Sequence, residues 1–391
     1  MSDDLPLRGV RVLDLSRLLP GPFLTLVLSD LGAEVVKVED LGPGDYLRFV
    51  PPFVGDLGVQ FAALNRDKKG VLLDLKNPAG RDAFLRLCKS FDVVVESFRP
   101  GVLDRLGVGF EAMRAVNPRI VLCSVSGYGQ VGPYRDRAGH DIGYVALAGV
   151  LGLTGRPTVA PGPMPAQVAD LAGGALHGAV GILAALLACQ RTGRGRHLDV
   201  SMTDGAAGFL VLELPPHLAG QPVPRRGEGR LGGGLACYDV YETKDGRHLA
   251  VGALEPKFWA AFCKVIGRVS DASDLIAMGP KQDVIRAEVA ASLKARTRDE
   301  WVAAFEGVEA CVEPVLDGDE LRGHALHVAR QLFFDIETPA GKLPQIRTPL
   351  GRADGHVPPP RPGQHTREVL KGAGFSDAEI DALAKAGATR A

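Results

Sequence analysis

His140 and Asp141 stand side by side in the segment RAGHDIGYVALAG, just ahead of a run with almost no polar side chains. Asp170 lies near the start of a later segment that is rich in alanine and glycine. Histidine titrates near neutral pH, and a carboxylate can act as a base or a nucleophile, so these residues could transfer a proton or an acyl group. Aspartates in such positions also cap helices. From the residues alone, capping by Asp170 and Asp141 is the simpler interpretation.

A third acid, Glu255, lies in VGALEPKFW, between a predicted strand and a helix that Pro256 opens. One interpretation is that Glu255 is an acid in the first turn of that helix, where the helix dipole favours a negative charge. Alternatively, its carboxylate could orient an imidazole through the second ring nitrogen. Helix starts on one side of a parallel sheet lie close together at the carboxyl ends of the strands, so we expect His140 and Asp170 to be neighbours.

Basic residues occur where predicted strands begin or end. Lys68 and Lys69 lie in LNRDKKG, Arg99 in SFRPG and Arg137 in RDRAG. Each alone would be an ordinary solvated charge. Together they would suit a ligand that carries several phosphates, because guanidinium and ammonium groups donate charge-assisted hydrogen bonds to phosphate oxygens.

The first 125 residues alternate short apolar runs with helical patterns, which is typical of a parallel sheet covered by helices. Strands are predicted over 10–16, 33–40, 70–76, 92–98 and 119–129, and helices over 21–32, 78–91 and 109–118. The first strand is followed by LSRLLPGPF instead of GxGxxG, which disfavours a nicotinamide or flavin site.

The second half of the chain suggests a smaller domain inserted into the larger one. The patterns predict an apolar, buried helix over 167–190, a flexible linker over 224–234, two strands around the KDG turn in 235–254, helices filling 256–325, and a capped helix over 376–387. We therefore expect residues 1–224 and 331–391 to form the large domain and residues 225–330 to form the small one.

Composition excludes several classes of function. Lys plus Arg number 45 and Asp plus Glu number 46, so no basic field for nucleic acid is expected. The six cysteines show no metal-binding spacing, which predicts reduced thiols, no metal site and a cytoplasmic location. The N-terminus lacks the features of a signal peptide, and the longest apolar stretch, 180–189, is too short to span a bilayer.

Several ordered segments make the chain resemble the class III CoA-transferase family, of the CaiB/BaiF type, over essentially its whole length. They are LRGVRVLDLSRLLPGPF, LGAEVVKVED, LNRDKKGVLLDLK, VVVESFRPGVLDRLG, NPRIVLCSVSGYGQVGP, RTGRGRHLDVSMTDG and RPGQHTREVL. The resemblance implies an α/β fold with a Rossmann-like parallel-sheet large domain, an inserted smaller α+β domain and an intertwined homodimer. It also implies an acyl-CoA substrate that brings its own CoA, with no separate cofactor.

Two chemistries occur in this family. In its transferases, the aspartate that matches Asp170 attacks an acyl-CoA and forms a mixed anhydride. In its alpha-methylacyl-CoA racemase branch, that aspartate and a histidine invert the carbon beside the thioester. AGHDIGYVALAGVLGLTG, VGALEPKFW and ACVEPVL resemble the racemase branch. The resemblance therefore implies that His140 and Asp170 are the catalytic bases.

The resemblance also implies roles for the other candidates. Glu255 would orient His140, either in the same chain or in a neighbouring subunit. Gly139 and the backbone of Asp141 would contact the thioester. Lys68, Lys69, Arg99 and Arg137 would bind the nucleotide end, because after VVKVE this chain has Asp40 where the family often has a basic residue. A CoA-transferase and a catalytically silent CoA-binding protein remain the alternatives.

Overall fold

A six-stranded parallel sheet organises the larger part of the protein, which is described by a computed structural model over residues 5–223 and 225–391. Residues 1–4, at the start of the predicted large domain, and Pro224, the first residue of the predicted linker, lie outside the described residues. The strands of this sheet are β1 (Arg11–Asp14), β2 (Glu34–Glu39), β5 (Lys69–Leu72), β6 (Val93–Glu96), β7 (Val121–Ser126) and β8 (His197–Ser201). Every residue of β6 and β7 is buried, as expected for the valine-rich strands of a sheet covered on both faces.

The strand order explains where a ligand would bind. The order across the sheet is β5-β2-β1-β6-β7-β8, and all five pairings are parallel. Counting only these six strands along the chain, this is the 3-2-1-4-5-6 order of doubly wound folds. The order reverses between β1 and β6, and ligands bind outside the carboxyl ends of the strands at such a point. The predicted α/β parallel-sheet fold is confirmed.

Smaller sheets and helices make up the rest of the secondary structure. The other strands are β3 (Phe53–Val54), β4 (Leu57–Gly58), β9 (Tyr238–Glu242), β10 (His248–Gly252), β11 (Val312–Pro314), β12 (Phe333–Thr338) and β13 (Gly341–Ile346). The α-helices are α1 (Pro20–Asp30), α2 (Val59–Asn65), α3 (Pro78–Cys88), α4 (Val102–Arg105), α5 (Phe110–Val116), α6 (Asp141–Leu147), α7 (Val150–Leu153), α8 (His177–Thr192), α9 (Met202–Gly208), α10 (Leu214–Leu218), α11 (Pro256–Ile266), α12 (Pro280–Leu293), α13 (Arg298–Phe305), α14 (Ala325–Ala329), α15 (Thr366–Gly372) and α16 (Asp377–Lys385). Short 3₁₀ and π turns occupy Tyr46–Phe49, Ala169–Leu176, Arg230–Gly234, Ala272–Leu275 and Leu321–Gly323.

The chain divides into two compact units. The larger unit holds residues 5–148, 165–208 and 324–391, and the smaller unit holds 149–164 and 209–323. The core of the larger unit packs around the parallel sheet, and helix α16 begins with the predicted Ser376–Glu379 capping box. In the smaller unit, helices α11, α12 and α13 pack against a three-stranded antiparallel sheet, in the order β11-β10-β9.

Two local predictions were wrong, and one pair of strands was missed. Residues 225–234 are not an unstructured linker: they form turns and the π turn Arg230–Gly234, and Arg286 Nη2 donates a hydrogen bond of 2.6 Å to the Gly233 carbonyl. Helices do not fill 256–325, because β11 completes the small sheet. The hairpin of β12 and β13 was not predicted, since its polar residues and Pro344 hide the strand pattern.

The long apolar helix is less buried than its composition predicts. It runs from the π turn Ala169–Leu176 into α8, and this 24-residue stretch is apolar and long enough to cross a membrane by length and composition alone. Only 44% of its most apolar window is buried. The side chains of Leu176, Val180 and Leu187 are exposed along one face, while the other face packs against α1 and β7. A helix that covers a sheet passes the same length test, so this is weak evidence for a membrane span.

Candidate active site

A cavity of about 1060 Å³ opens at the carboxyl ends of β1, β6 and β7, beside the point where the strand order reverses. The loop after β1 contributes Arg17 to Pro20, and the loop after β6 contributes Ser97 to Pro100. Further lining residues include Tyr46, Leu47, Leu64, Ser126, Tyr128, Arg135, Arg137, Gly139, His140, Tyr144, Gln167, Asp170 and Met202. Every one of these residues belongs to the larger unit.

His140 and Asp170 line this same cavity although they are 30 positions apart in the chain. His140 occupies the N-cap position of α6, where its side chain makes no capping bond and is exposed. Asp170 is the second residue of the π turn Ala169–Leu176, and its side chain is partly buried. The structure therefore brings together the two residues that sequence reasoning paired.

Neither aspartate caps its own helix. The N-cap before the Asp170 turn is Val168, and Asp141 is the first helical residue of α6. Asp141 Oδ1 instead accepts a hydrogen bond of 2.9 Å from the backbone N–H of Asp170. Both capping interpretations were thus wrong, because each carboxylate lies within a first helical turn and Asp141 binds a backbone group outside its own helix.

Backbone N–H groups at the start of the Asp170 turn are already engaged. The Asp170 N–H is bound by Asp141, and the Leu171 N–H donates to the Gln167 carbonyl at 2.9 Å. At the start of α6, by contrast, the Asp141 N–H has no acceptor within its own helix. Asp141 directly follows His140 in the chain but, unlike Gly139 and His140, is not itself among the residues that line the cavity.

Burial makes Asp170 hold its proton more tightly than a free aspartate does. Burial, aided by the negative charge of Asp141, raises the pKa of Asp170 from 3.8 to about 7. Tyr144 is one turn along α6 and its hydroxyl donates to the Gly139 carbonyl at 2.7 Å, which fixes the backbone beside His140. A carboxyl with a pKa near neutrality is suited to both give and accept a proton.

Guanidinium groups surround the same cavity. The predicted Arg99 and Arg137 line it, together with Arg17 and Arg135, which sequence reasoning missed. Arg137 lies over the Tyr134 ring at 3.9 Å from the centroid. The position of Arg17 in the first loop after a strand of the sheet was a usable signal.

The two predicted lysines have different surroundings from those arginines. Lys68 is buried, and its Nζ donates to Asp14 Oδ2 at 3.1 Å, as well as to Thr25, Asn65 and the Pro22 carbonyl. Its ammonium is thus occupied inside the protein, which removes it from contact with a phosphate.

Lys69 is half-buried and lies at a different cavity from His140 and Asp170. It pairs with Glu368 at 2.9 Å and with Glu34 at 3.5 Å. Asp40, the acid that stands where the family often has a base, pairs with Arg17 of the main cavity.

Glu255 belongs to the smaller unit. It is the N-cap residue of α11, it is exposed, and its side chain makes no capping bond. Its pairing with His140 stays a prediction.

Among the described residues, Asp30, Asp67 and His356 form one group with the proximity that a metal would need. However, Asp30 binds Arg66 with both oxygens at 2.8 Å, so its charge is already compensated.

Comparisons of the sequence and of the structure with known proteins indicate the same family. The profile of CoA-transferase family III matches residues 7–366. Alpha-methylacyl-CoA racemase from Mus musculus is 39% identical over 96% of this chain and 95% of its own length. Succinyl-CoA:glutarate CoA-transferase from Mus musculus is 35% identical over 94% of this chain and 86% of its own. The crystal structure of a CaiB/BaiF family protein from Brucella suis superposes with a TM-score of 0.80, at 30% identity over 95% of this chain and all of that one. This chain therefore belongs to CoA-transferase family III.

Proposed function

We propose that the protein is a racemase that inverts the α-carbon of 2-methylacyl-CoA thioesters. The observation that carries this proposal is that His140 and Asp170 line one cavity at the reversal point of the sheet. The similarity to alpha-methylacyl-CoA racemases from Mus musculus and Homo sapiens, at 39% and 37% identity, supports it.

In the proposed mechanism the α-carbon lies between the two side chains. One residue takes the α-proton, and the electron pair of the broken C–H bond moves into an enolate whose oxygen carries the negative charge. The Asp141 N–H would donate to that oxygen. The second residue gives its proton to the opposite face of the planar carbon, so the product differs from the substrate only in configuration.

The pKa of Asp170 fits this exchange of roles. For each direction of the reaction, one group must start with a proton and the other without. A carboxyl whose pKa is about 7 can occupy either state near neutral pH, whereas an ordinary aspartate with a pKa of 3.8 would rarely carry the proton. Proton transfer by a positioned group contributes roughly 10²–10⁴ in rate.

The guanidinium groups of the cavity suit the phosphates of CoA. Arg17, Arg99, Arg135 and Arg137 line the same space as the two bases. Arginine forms two parallel hydrogen bonds with phosphate oxygens, which holds a ligand in a defined orientation. We propose that they bind the nucleotide end of the substrate, in place of Lys68 and Lys69.

A CoA-transferase is the second candidate, because transferase relatives reach 35% identity over 94% of the chain. In that reaction an Asp170 oxygen attacks the thioester carbonyl, the C–S bond breaks, CoA leaves as the thiolate, and the acyl group stays on Asp170 as a mixed anhydride. The thiolate then attacks the Asp170 carbonyl, which releases the donor carboxylate and leaves Asp170 as a CoA thioester. The acceptor carboxylate displaces the thiolate to form a second anhydride, and the thiolate attacks the acceptor acyl carbonyl, which gives the new acyl-CoA and regenerates the Asp170 carboxylate. This route needs Asp170 ionised and does not require His140.

One experiment separates the two functions. The protein is incubated in deuterated water with a single enantiomer of a panel of 2-methylacyl-CoA esters, with and without a free acid, and products are analysed by mass spectrometry. A racemase incorporates deuterium at the α-carbon without the acid. Transfer of CoA to the acid, or an acyl or CoA adduct on Asp170, without α-deuteration would instead establish a transferase.

Three further expectations complete the proposal. We propose a homodimer, for which the exposed stripe of Leu176, Val180 and Leu187 offers an apolar surface. In it, Glu255 would orient a His140 imidazole. We also propose a cytoplasmic location, since all six cysteines are free thiols and five of them are buried.

A further inference from the structure

We propose that Asp141 is a positioning residue that acts through Asp170, anchoring its backbone and setting the charge of its side chain. This inference rests on the proposed function, in which Asp170 exchanges a proton with substrate. It assigns to the Asp141 side chain a role separate from that of its backbone N–H.

The anchoring half of the proposal stands on one contact. Asp141 Oδ1 accepts the Asp170 N–H at 2.9 Å and so ties the first turn of α6 to the π turn that carries Asp170. The two residues are 29 positions apart, so neither helix alone could fix this geometry. A hydrogen bond to a charged acceptor is stronger than one between neutral groups, so this contact favours one orientation of the turn.

The second half concerns charge. The hydrogen bond from the Asp170 N–H places the Asp141 carboxylate next to Asp170, which itself lines the cavity. Burial is the largest cause of the raised pKa of Asp170, and the Asp141 charge is the second. The pKa of Tyr144, on the same helix as Asp141, is raised to about 12. Burial is the largest cause, and the negative charges of Asp170, Tyr128 and Asp141 add to it.

Other ionisable side chains line the same cavity as Asp170. They are His140, Tyr46, Tyr128, Tyr144 and the guanidinium groups of Arg17, Arg99, Arg135 and Arg137. The elements packed against the π turn also carry Asp30 on α1, Cys123 on β7, His177, Cys189 and Arg191 on α8, His197 and Asp199 on β8, and Asp204 on α9. None of these last eight side chains, all within the described residues, lines the cavity. Asp141 contacts the backbone of Asp170 directly, and its negative charge adds to burial in raising the pKa of Asp170.

The test separates the anchor from the charge. Asp141→Asn keeps an oxygen that accepts the Asp170 N–H but removes the negative charge, whereas Asp141→Ala removes both. Asp204→Asn is the matched control, because it removes a charge from α9 that is exposed to solvent. The pKa of Asp170 is measured on the free protein by NMR of labelled aspartate carboxyl carbons, with Asp170→Asn to assign the signal.

We expect Asp141→Asn to lower the pKa of Asp170 by about one unit or more, the usual size of a neighbouring charge, while burial keeps it above 3.8. The acid limb of the pH profile for α-proton exchange should move by the same amount. Asp141→Ala should in addition slow exchange about tenfold at every pH, and Asp204→Asn should change neither.

An Asp170 signal that titrates at the parent pH in Asp141→Asn would overturn the charge role. Parent exchange rates in Asp141→Ala would overturn the anchoring role. The titration is read without substrate, so it decides the charge role even if no α-proton exchange is found and the proposed function fails. In that case hydrogen exchange of the Asp170 amide decides the anchoring role: its protection should be lost in Asp141→Ala and kept in Asp141→Asn, and protection that survives in Asp141→Ala would overturn it.

Discussion

Asp170 combines two features that a single aspartate seldom has: it lines a ligand cavity, and burial with the Asp141 charge raises its pKa to about 7. The residue type and its position near a helix start were visible in the sequence. The pKa was not, because it depends on desolvation and on a carboxylate 29 positions away. The capping hypothesis was wrong because each carboxylate lies within the first turn of its helix, and Asp141 instead binds the Asp170 N–H.

The raised pKa of Asp170 makes stability depend on pH in a defined direction. The folded state keeps this proton up to about pH 7, whereas the unfolded chain loses it near 3.8. Asp170 therefore contributes its full stabilisation below pH 3.8, and this is lost as pH rises through 7. We expect the Asp170→Asn variant to gain about 2 kcal/mol relative to the parent between about pH 4 and 8, after allowing for partial solvent access. Urea unfolding at several pH values measures it.

Glu96→Gln serves as a control for that measurement. Burial raises the pKa of Glu96 to about 7 as well, but Glu96 does not line the main cavity. Both variants should show the same pH trend in stability, and only Asp170→Asn should stop catalysis. Parallel stability curves for the parent and Asp170→Asn across this range would contradict the assigned pKa.

At the scale of elements, the predictable part of the fold is the part that local pattern determines. Strands β1, β2, β6 and β7 are short apolar runs because both faces of the sheet are covered. The end of α1 was predictable because Gly32, at φ 103°, takes a left-handed conformation that favours glycine. The β12–β13 hairpin and β11 were missed since their pairing partners, more than their composition, make them strands.

Lys68 shows why a charged residue can be misassigned. Sequence placed it among the phosphate ligands, but its partners Asp14 and Thr25 lie more than 40 positions away and are buried with it. Although burial alone would raise the pKa of Asp14, the Lys68 and Lys37 ammoniums and two hydroxyl bonds lower it to about 2. The pair therefore holds the end of β1 in place, just before the loop that lines the cavity.

Substituting the two adjacent lysines should separate these roles. Lys68→Met leaves the Asp14 carboxylate buried without its partner, and we expect a loss of about 3–5 kcal/mol in the free energy of unfolding. Lys69→Met breaks only half-exposed ion pairs and should cost at most about 1 kcal/mol. Denaturant unfolding of the two variants checks this, and equal losses would refute the structural role of Lys68.

At the scale of the whole molecule, the long helix carries an exposed apolar stripe that the proposed homodimer would cover. The side chains of Leu176, Val180 and Leu187 are 45%, 65% and 61% exposed. The apolar composition of the helix predicted burial of both faces, and only one face is buried within the chain. Composition alone does not distinguish a face that packs within the chain from one that would pack against another copy. The proposed homodimer accounts for the other face.

Charge introduced on that stripe should disrupt assembly. We expect the parent to sediment at about twice the chain mass of 41.3 kDa and Val180→Glu to shift towards the monomer. Val269→Glu is the control, because Val269 is 88% exposed but lies in the smaller unit, outside the stripe. Analytical ultracentrifugation over a range of concentrations would show it; an unchanged mass for Val180→Glu would remove the stripe from the interface.

The most direct test of the account follows the α-proton of each enantiomer of a 2-methylacyl-CoA in deuterated water, comparing the parent with His140→Ala and Asp170→Asn. If two side chains serve opposite faces of one carbon, the parent deuterates and racemises both enantiomers. Each variant should lose racemisation, and His140→Ala should lose exchange for at least one enantiomer. Racemisation at the parent rate by either variant would contradict the two-base mechanism.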